Sequence, residues 1–472
     1  MTKISKGRLA LRLLAAFAWM APAAAAIDSV KINKTGPYEK APGYTYSHIT
    51  IAGSVLRDDG TVGQYSVPAV VIFPRNRCGN DVGVVDWLNS AAFHFFHGTG
   101  EFSTFEFTTL ATGTHLFDAG YTYLTIQWNK LVTDRFGPQA PRGDHNPLVY
   151  GSIERGGDAW EILLDAARFL KNPSKYPGKN RPERVDTVLS SGYSQGGALQ
   201  LELLTTGLDP RRVYDGHLIQ MIGFGCWKRD DSLPHFGFLG DCAALPTRGQ
   251  HAPVIMLVSE SDMVSASTLG LGKGAFFARN PQDPNWRTYE MAGIAHLPEP
   301  IVALGQPNQN SADARPLFRA AFDNLAQWAR GKHGKRPPQS RYFQGYSDEN
   351  DAFIATKDAD GHFAGGVRLP HVESQVQGRV AGAPLGNYGP LNPVGLDPFN
   401  VFIFLGGTFE RFNDQELLAR YPTRHGYVKR VKRAADDLEE RDYITRKDRK
   451  ALVKAAEDEP LHASDFVESR SR

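Results

Sequence analysis

The feature that most constrains the fold is a short apolar run that leads directly into a glycine-rich turn and a helical pattern. Residues 185–189 form the run, residues 190–197 form the turn with three glycines, and apolar residues recur at helical spacing from Ala198 to Leu204. A buried strand that turns at once into a helix is typical of parallel βαβ units. The sequence therefore predicts an α/β fold around this turn.

Further segments show the same alternation of patterns. β-branched and aromatic runs split by turn residues predict an N-terminal β segment, and wholly apolar runs predict buried strands after it. Residues 131–152 lack periodicity and are predicted to form a loop. Together the segments predict a three-layer, mostly parallel sheet with helices on both faces. The predicted strands are residues 30–33, 46–51, 65–73, 82–88, 121–128, 185–189, 217–224, 254–258 and 286–290, and residues 158–170 are a predicted helix.

The first 26 residues have the composition of a secretory signal peptide. Four basic residues and no acidic residue lie among the first twelve, and an apolar run and a stretch of small residues follow. This apolar run is shorter than the ~20 residues of a membrane-spanning helix, and a retained anchor is the alternative interpretation. The sequence predicts a secreted or periplasmic protein, with cleavage after Ala26.

Three regions are predicted after this segment. Residues 27–335 contain the alternating strands and helices and are assigned to the main α/β domain. Residues 336–412 are rich in Gly, Pro and Asn, which predicts a loop-rich wrap or small cap packed on that domain. Residues 413–472 are charged and helical in pattern, so they are assigned to a C-terminal helical tail. In this tail Thr445 caps a helix, and an apolar stripe is predicted at Tyr427, Val428, Val431 and Ala434.

The charge of the chain is nearly balanced. It carries 53 Lys and Arg against 51 Asp and Glu, and removal of the four N-terminal basic residues leaves a net charge of −2. Such a balance gives no electrostatic attraction to nucleic acid or to an anionic membrane. We therefore expect a small-molecule substrate and neither of these partners, and the sequence leaves the oligomeric state open.

Cysteines and histidines show no metal-binding pattern. The three cysteines lack Cys-x-x-Cys spacing, and His94 and His97 have no third ligand nearby in the sequence. The sequence therefore predicts no metal and no cofactor, and a metal-dependent hydrolase centred on these two histidines is an alternative hypothesis. Export permits a disulfide. Cys226 and Cys242 are the favoured pair, with free buried thiols as the other possibility.

A Gly-x-Ser-x-Gly motif at residues 192–196 places Ser194 at the turn between strand and helix. This context is that of a nucleophile elbow, in which a serine at a tight turn adopts a strained backbone conformation. The glycines leave room for the strand and the helix to pass closely, and the helix N-terminus favours an anionic intermediate. Ser194 is the predicted nucleophile, and an ordinary serine in a glycine-rich turn is the alternative.

A nucleophilic serine needs a base, and that base needs an orienting acid. In this architecture the three residues follow the chain order serine, acid, histidine. Asp262 follows the predicted strand 254–258 and is the favoured acid, with Glu260 as the reserve. His296 follows the predicted strand 286–290 and is the predicted base.

The oxyanion hole is predicted to use the backbone N–H of Gln195 and a second N–H from the loop after residue 88. Ser90 is the favoured second donor and Asn89 its alternative. Aromatic residues in the same loop predict a flat apolar pocket for an aromatic acyl group, although ordinary core packing explains them equally well. The predicted pocket residues are Phe93, Phe95 and Tyr193.

The chain resembles a bacterial group of secreted-type α/β-hydrolases that includes phthalyl amidase. The resemblance covers nearly the whole mature chain and rests on residues 85–89, 192–197, 289–296, 365–370 and 427–453. It implies a serine nucleophile at Ser194, a base at His296 and an acid at Asp262. The aromatic run after Asn89 departs from the group, which contains enzymes that cleave esters and enzymes that cleave amides.

These observations predict a secreted serine hydrolase that cleaves a carboxylic amide or ester bond through an acyl-enzyme intermediate. A phthalyl-amidase-like enzyme acting on aryl acyl groups is the most specific form of this prediction. The alternatives are a general carboxylesterase and a non-catalytic binding module on the same fold.

Overall fold

The described chain is built on a ten-stranded mixed sheet. The computed structural model describes residues 26–75, 79–88, 107–136, 151–207, 209, 212–222, 226–229, 237–240, 251–263, 279–297, 312–331, 336–347, 353–374, 378–381 and 406–459.

The strands and helices have the following bounds. The strands are β1 (Ala26–Pro37), β2 (Tyr44–Leu56), β3 (Val62–Pro74), β4 (Val82–Trp87), β5 (Thr122–Ile126), β6 (Ser152–Ile153), β7 (Thr187–Tyr193), β8 (Gly216–Gln220), β9 (Cys226–Arg229), β10 (Gly237–Gly240), β11 (Val254–Ser259), β12 (Trp286–Met291), β13 (Gly345–Ser347), β14 (Phe353–Ala355), β15 (Gly378–Ala381) and β16 (Thr408–Arg411). The helices are α1 (Phe107–Thr112), α2 (His115–Asp118), α3 (Lys130–Phe136), α4 (Ala159–Lys171), α5 (Gln195–Thr206), α6 (Arg315–Ala329), α7 (Pro370–Glu373), α8 (Asp414–Arg420), α9 (Arg424–Glu440) and α10 (Arg446–Asp458).

The predicted α/β class is confirmed by the strand directions. The strand order is β1-β2-β3-β5-β4-β7-β8-β11-β12, with β6 paired to β3. The strands β5, β4, β7, β8, β11 and β12 pair with one another in parallel, whereas β1, β2 and β3 form an antiparallel N-terminal segment whose β3 pairs antiparallel with β5. The carboxyl ends of parallel strands meet at one edge of a sheet, which is where α/β proteins place their sites. The segments after β7, β11 and β12 therefore share one edge.

The structure corrects the sequence predictions for two segments in the middle of the chain. Residues 131–152 were expected to be a loop, but this stretch contributes to helix Lys130–Phe136 and to a short strand whose Ile153 pairs with Tyr65 of β3. The strand before the glycine-rich turn is also longer than predicted, because it continues to Tyr193 and includes the first two residues of the motif. Hydrogen bonds to neighbouring strands, rather than apolar periodicity, define both strands.

Residues 336–347 and 353–374, here called the covering segment, cover the outer edge of β12. The N–H of Glu290 donates to the carbonyl of Arg341 (3.0 Å), and the N–H of Val367 donates to the carbonyl of Glu290 (2.7 Å). The N–H of Ala292 donates in turn to the carbonyl of Val367 (3.1 Å). Main-chain bonds therefore close an edge that would otherwise expose unpaired donors and acceptors.

The C-terminal helices pack through the predicted apolar stripe. Tyr427 and Val431 of helix Arg424–Glu440 are buried, and Ala435 rather than the predicted Ala434 is the next fully buried residue. Thr445 caps the last helix as predicted, because its side chain accepts a hydrogen bond from the N–H of Asp448 (3.1 Å).

Export signals are only partly within the described residues. Of the predicted signal peptide, only Ala26 is described, and it begins β1. None of the helices in the described ranges is both long enough and apolar enough to span a membrane.

Cys226 is disulfide-bonded, so the free-thiol alternative is wrong for this residue. Cys78 and Cys242 lie outside the described residues, and the pairing with Cys242 stays a prediction.

We expect Gly366→Ala to destabilise the fold much more than Gly60→Ala. Both glycines have left-handed backbones, at φ +66° and +78°, so alanine at either position costs about 1 kcal/mol. A Cβ at Gly366 would also lie 2.5 Å from the carbonyl oxygen of Glu290, whereas a Cβ at Gly60 meets nothing within 4 Å. Urea denaturation should show a further loss of about 1–3 kcal/mol in Gly366→Ala alone. Equal losses in both variants would contradict the close contact with β12.

Candidate active site

Ser194 lies at the turn between β7 and α5 in a backbone conformation that few serines adopt. Its φ and ψ are 55° and −113°. This region is strained for a residue with a side chain and persists only where the surroundings hold it. Here the N–H of Ser194 donates to the carbonyl of Gln220 on β8 (2.8 Å), and its carbonyl accepts from the N–H of Ala198 (2.9 Å). The turn therefore has the geometry predicted for a nucleophile elbow.

The three glycines of the turn are required by close contacts. A Cβ at Gly196 would lie 2.2 Å from the carbonyl oxygen of Trp87 on β4. A Cβ at Gly192 would lie 2.5 Å from the carbonyl oxygen of Gly196, and one at Gly197 would lie 2.7 Å from a methyl group of Ile222. Any larger residue would push the helix away from the sheet.

Ser194 and Gln195 are partly exposed, whereas Tyr193 and Gly196 on either side are buried. Gln195 is the first residue of the twelve-residue helix α5, so its N–H lies at the end of the helix that carries partial positive charge. The other oxyanion candidates, Ser90 and Asn89, lie outside the described residues. So do Phe93, Phe95, His94 and His97, which keep the status of predictions.

His296 and Asp262 are in direct contact. Nδ1 of His296 lies 2.7 Å from Oδ1 of Asp262, and the two residues are 3% and 0% exposed. The second carboxylate oxygen, Oδ2, accepts hydrogen bonds from the N–H (3.0 Å) and the hydroxyl (2.7 Å) of Ser259. A carboxylate held in this way accepts a hydrogen bond from Nδ1–H of His296. Nε2 is then the nitrogen that exchanges a proton with the reacting groups.

Tyr193 links the serine turn to the histidine. Its hydroxyl donates to the main-chain carbonyl of His296, and the two rings meet edge to face with centroids 5.6 Å apart. Its ring also stacks on Phe318 of α6, and its side chain is 1% exposed. This packing indicates that Tyr193 supports His296, and its part in a substrate pocket stays a prediction.

Glu260, the reserve acid, bonds to main-chain groups. Its Oε2 accepts from the N–H of Gly293 (2.8 Å) and from the N–H of Phe363 (3.1 Å), and the residue is 1% exposed. Asp262 is therefore the acid that the structure brings to His296. Burial raises the pKa of Glu260 to about 7, against the lowering effect of these two N–H groups and of the charges of Lys357 and Arg368.

A buried polar network beneath the serine turn was missed by sequence reasoning. The hydroxyl of Ser191 lies 2.7 Å from that of Thr108 and accepts from the side-chain amide of Gln220 (2.6 Å). The hydroxyl of Ser190 lies 2.7 Å from Nδ1 of His217. Two consecutive serines in an otherwise buried strand were the available signal, because buried hydroxyl groups need partners.

Asp86 belongs to the same layer of buried polar groups. It is 3% exposed on β4, and its carboxylate accepts from the hydroxyl of Tyr123 (2.5 Å). Burial raises the pKa of Asp86 to about 6, although hydrogen bonds from Tyr123 and Thr108 oppose the shift. The carboxyl thus joins β4 and β5 to helix α1.

Within the described residues, no group of three His, Cys, Asp or Glu side chains could hold a metal ion.

We expect the free energy of unfolding contributed by Glu260 to fall as the pH rises from about 4.5 to about 7. Its folded pKa is about 7 and its ordinary value is 4.5. Between these values the unfolded chain has released the proton and the folded chain still holds it, so rising pH favours unfolding. Below the window both states are protonated, and above it both are ionised. The change across the window is on the order of 3 kcal/mol.

Urea denaturation of the wild type and of Glu260→Gln at several pH values measures this contribution. The wild-type free energy of unfolding minus that of the variant should decrease across the window. A difference independent of pH would contradict the raised pKa.

Comparisons with solved structures found several esterases. A glucuronoyl esterase of family CE15 from Teredinibacter turnerae T7901 is 13% identical over 55% of this chain and 73% of its own, with a TM-score of 0.28. A cold-adapted esterase from an Arctic intertidal metagenomic library is 13% identical over 55% of this chain and 87% of its own, with a TM-score of 0.27. The rice cell wall degrading esterase LipA from Xanthomonas oryzae is 12% identical over 41% of this chain and 49% of its own, with a TM-score of 0.24.

At these identities and TM-scores the structural likenesses carry no argument about activity. No curated protein matches the sequence. The family described as the alpha/beta hydrolase domain matches residues 84–454, which include the serine turn, the Asp262–His296 pair and the C-terminal helices. The chain therefore belongs to the alpha/beta hydrolase domain family.

Proposed function

We propose that the protein is an exported serine hydrolase that cleaves a carboxylic ester or amide through an acyl-enzyme intermediate. The observation that carries the proposal is the 2.7 Å contact between Asp262 and His296. Their two segments follow β11 and β12, and the strained Ser194 follows β7 at the same sheet edge. A serine, an acid and a histidine in this chain order are the parts that the reaction needs.

In the proposed mechanism, the hydroxyl of Ser194 attacks the substrate carbonyl. Nε2 of His296 takes the hydroxyl proton and then donates it to the leaving oxygen or nitrogen. Asp262 holds Nδ1 and stabilises the imidazolium that forms. Water then attacks the acyl-enzyme with His296 as the base, which releases the acid and restores Ser194.

The oxyanion is proposed to be stabilised by main-chain donors. The N–H of Gln195 is one donor, because it lies at the N-terminus of α5 directly after the serine. Ser90 is the proposed second donor. Preorganised donors of this kind contribute about 3–4 kcal/mol each to transition-state stabilisation.

A phthalyl-amidase-like reaction on an aryl acyl group is the more specific proposal. It is supported by Phe93 and Phe95 in the predicted oxyanion loop, by Tyr193 next to Ser194, and by the sequence resemblance described above. A flat aromatic acid would be recognised by such side chains through ring contacts and burial. A general carboxylesterase and a non-catalytic binding module are the alternatives.

Export is supported by two independent features. The N-terminal 26 residues have the composition of a signal peptide. In addition, Cys226 is disulfide-bonded, and disulfides persist chiefly in oxidising compartments outside the cytosol. We therefore propose that the protein acts in the periplasm or outside the cell.

Fluorophosphonate labelling tests the serine mechanism. We expect one covalent adduct on Ser194, located by peptide mass spectrometry, with loss of fluoride. Ser194→Ala should not be labelled, and Asp262→Asn should be labelled about 10⁴-fold more slowly, because His296 loses its orienting carboxylate. Ser174→Ala is the matched control, since Ser174 is an exposed serine outside the serine turn, and it should keep the wild-type rate.

An adduct that persists in Ser194→Ala would contradict the proposal, and so would an absence of labelling in the folded wild type. A metal-dependent hydrolase would instead keep its activity in Ser194→Ala and lose it on treatment with a chelator.

A substrate panel tests the choice between amide and ester. We expect hydrolysis of phthalylated amines as well as nitrophenyl esters, with kcat/KM for the phthalyl amide at least about tenfold above that for the matching acetyl amide, because an aryl pocket recognises the larger acid. Turnover of esters alone would reject the amidase form and leave a carboxylesterase. Ser194→Ala protein, purified in parallel, controls for contaminating hydrolases.

A further inference from the structure

Glu260 is a fully enclosed carboxyl group that the proposed mechanism does not use. It lies two residues before Asp262 in the segment that follows β11, and it is 1% exposed. Burial of a carboxyl group costs free energy unless the group is hydrogen-bonded. Its bonds therefore indicate what the residue does.

One oxygen of Glu260 joins three segments of the chain. Oε2 accepts from the N–H of Gly293, in the turn between β12 and His296, and from the N–H of Phe363, in the stretch that covers the edge of β12. In addition, the main-chain N–H of Glu260 donates to the carbonyl of Ile294 (3.1 Å). Two of the three bonds thus fix the first half of the turn that carries His296.

The turn has little freedom to adjust. Gly293 has a φ of +69°, and a Cβ there would lie 2.6 Å from a methyl group of Val372 and 3.3 Å from the ring of His362. At the other end of the turn, the carbonyl of His296 accepts from the hydroxyl of Tyr193, the residue next to Ser194. His296 is thus held between an anchor at Glu260 and an anchor at Tyr193.

We propose that Glu260 is a positioning residue, which holds the turn carrying His296 in register with Ser194 through its hydrogen bonds to Gly293 and Phe363. This inference rests on the proposed serine mechanism. Proton transfer needs the base within hydrogen-bond reach of the nucleophile. A displacement of about 1 Å in such a group can lower the rate about a hundredfold.

Glu290 offers a matched comparison. It is 0% exposed on β12, and Oε2 accepts from the N–H of Phe343 (2.5 Å), so it also ties the sheet to the covering segment. Both of its oxygens bind Arg279 at 2.6 Å. It therefore resembles Glu260 in burial and in its main-chain contact, but these side-chain bonds to Phe343 and Arg279 do not involve the turn at residues 292–296.

Glutamine is the conservative replacement at residue 260. The amide oxygen can accept the two N–H groups that Oε2 accepts now, and the raised pKa means that the native carboxyl is itself largely neutral below pH 7. Aspartate keeps the charge but is one methylene shorter, which withdraws the oxygen from both donors. Comparing Glu260→Gln with Glu260→Asp therefore separates the effect of the two hydrogen bonds from the effect of the negative charge.

The test measures the second-order rate constant for fluorophosphonate labelling of Ser194 in the full-length protein between pH 5 and 9, together with the melting temperature. We expect labelling at least about tenfold slower in Glu260→Ala and Glu260→Asp, and within about threefold of the wild type in Glu260→Gln. With p-nitrophenyl acetate, kcat should fall in the slow variants while KM stays unchanged. Glu290→Gln should lower the melting temperature at least as much as the slow Glu260 variants do. Its labelling rate should nevertheless stay within about threefold of the wild-type rate.

Each other outcome overturns the inference in a recognisable way. Wild-type labelling in Glu260→Ala, or in Glu260→Asp should the alanine variant not fold, would show that the turn needs no such anchor. Slow labelling in Glu260→Gln would assign the effect to the charge, and slow labelling in Glu290→Gln would assign it to general destabilisation. If the wild type itself is not labelled, the proposed function fails together with this inference. If the wild type is labelled on Ser194 and all variants match it, only the role of Glu260 fails.

Discussion

The close approach of helix α5 to strand β4 is the constraint on which the rest of the site depends. At Gly196, the space for a Cβ is already occupied by the carbonyl oxygen of Trp87, 2.2 Å away. The chain can make this approach only by turning sharply at Ser194, which adopts a φ of 55°. A backbone conformation of this kind costs about 1–3 kcal/mol. The buried strands on either side of β7 offset that energy and leave the serine partly exposed at the sheet edge.

The same local geometry separates two acids that look equivalent in the sequence. Glu260 and Asp262 lie in one helical turn, residues 260–263. At 3.6 residues per turn, side chains two positions apart point about 200° away from each other. Asp262 therefore meets His296, while Glu260 meets the main chain of Gly293 and Phe363. Chain order alone named both residues as candidates, and only their directions distinguish them.

The sequence predicted those features that depend on local patterns. Apolar runs located the central strands, and the glycines around Ser194 located the serine turn. Helix Lys130–Phe136 was missed because its segment lacks apolar periodicity, and strand β6 because two residues paired with β3 leave no pattern. The bond between Glu260 and Phe363 spans 103 residues. Contacts of this range depend on how distant segments pack, which propensity and spacing do not encode.

The covering segment shows why the sheet and its surroundings act together in the site. A Cβ at Gly366 would lie 2.5 Å from the carbonyl oxygen of Glu290, so only a glycine fits there, and Val367 then bonds to the edge of β12. Five residues later, Val372 packs against Gly293 in the turn that carries His296. The covering segment is thus in direct contact with the stretch at residues 289–296 that carries the histidine. A change that displaces Val372 from Gly293 would move the histidine, although the covering segment supplies none of the three proposed catalytic residues.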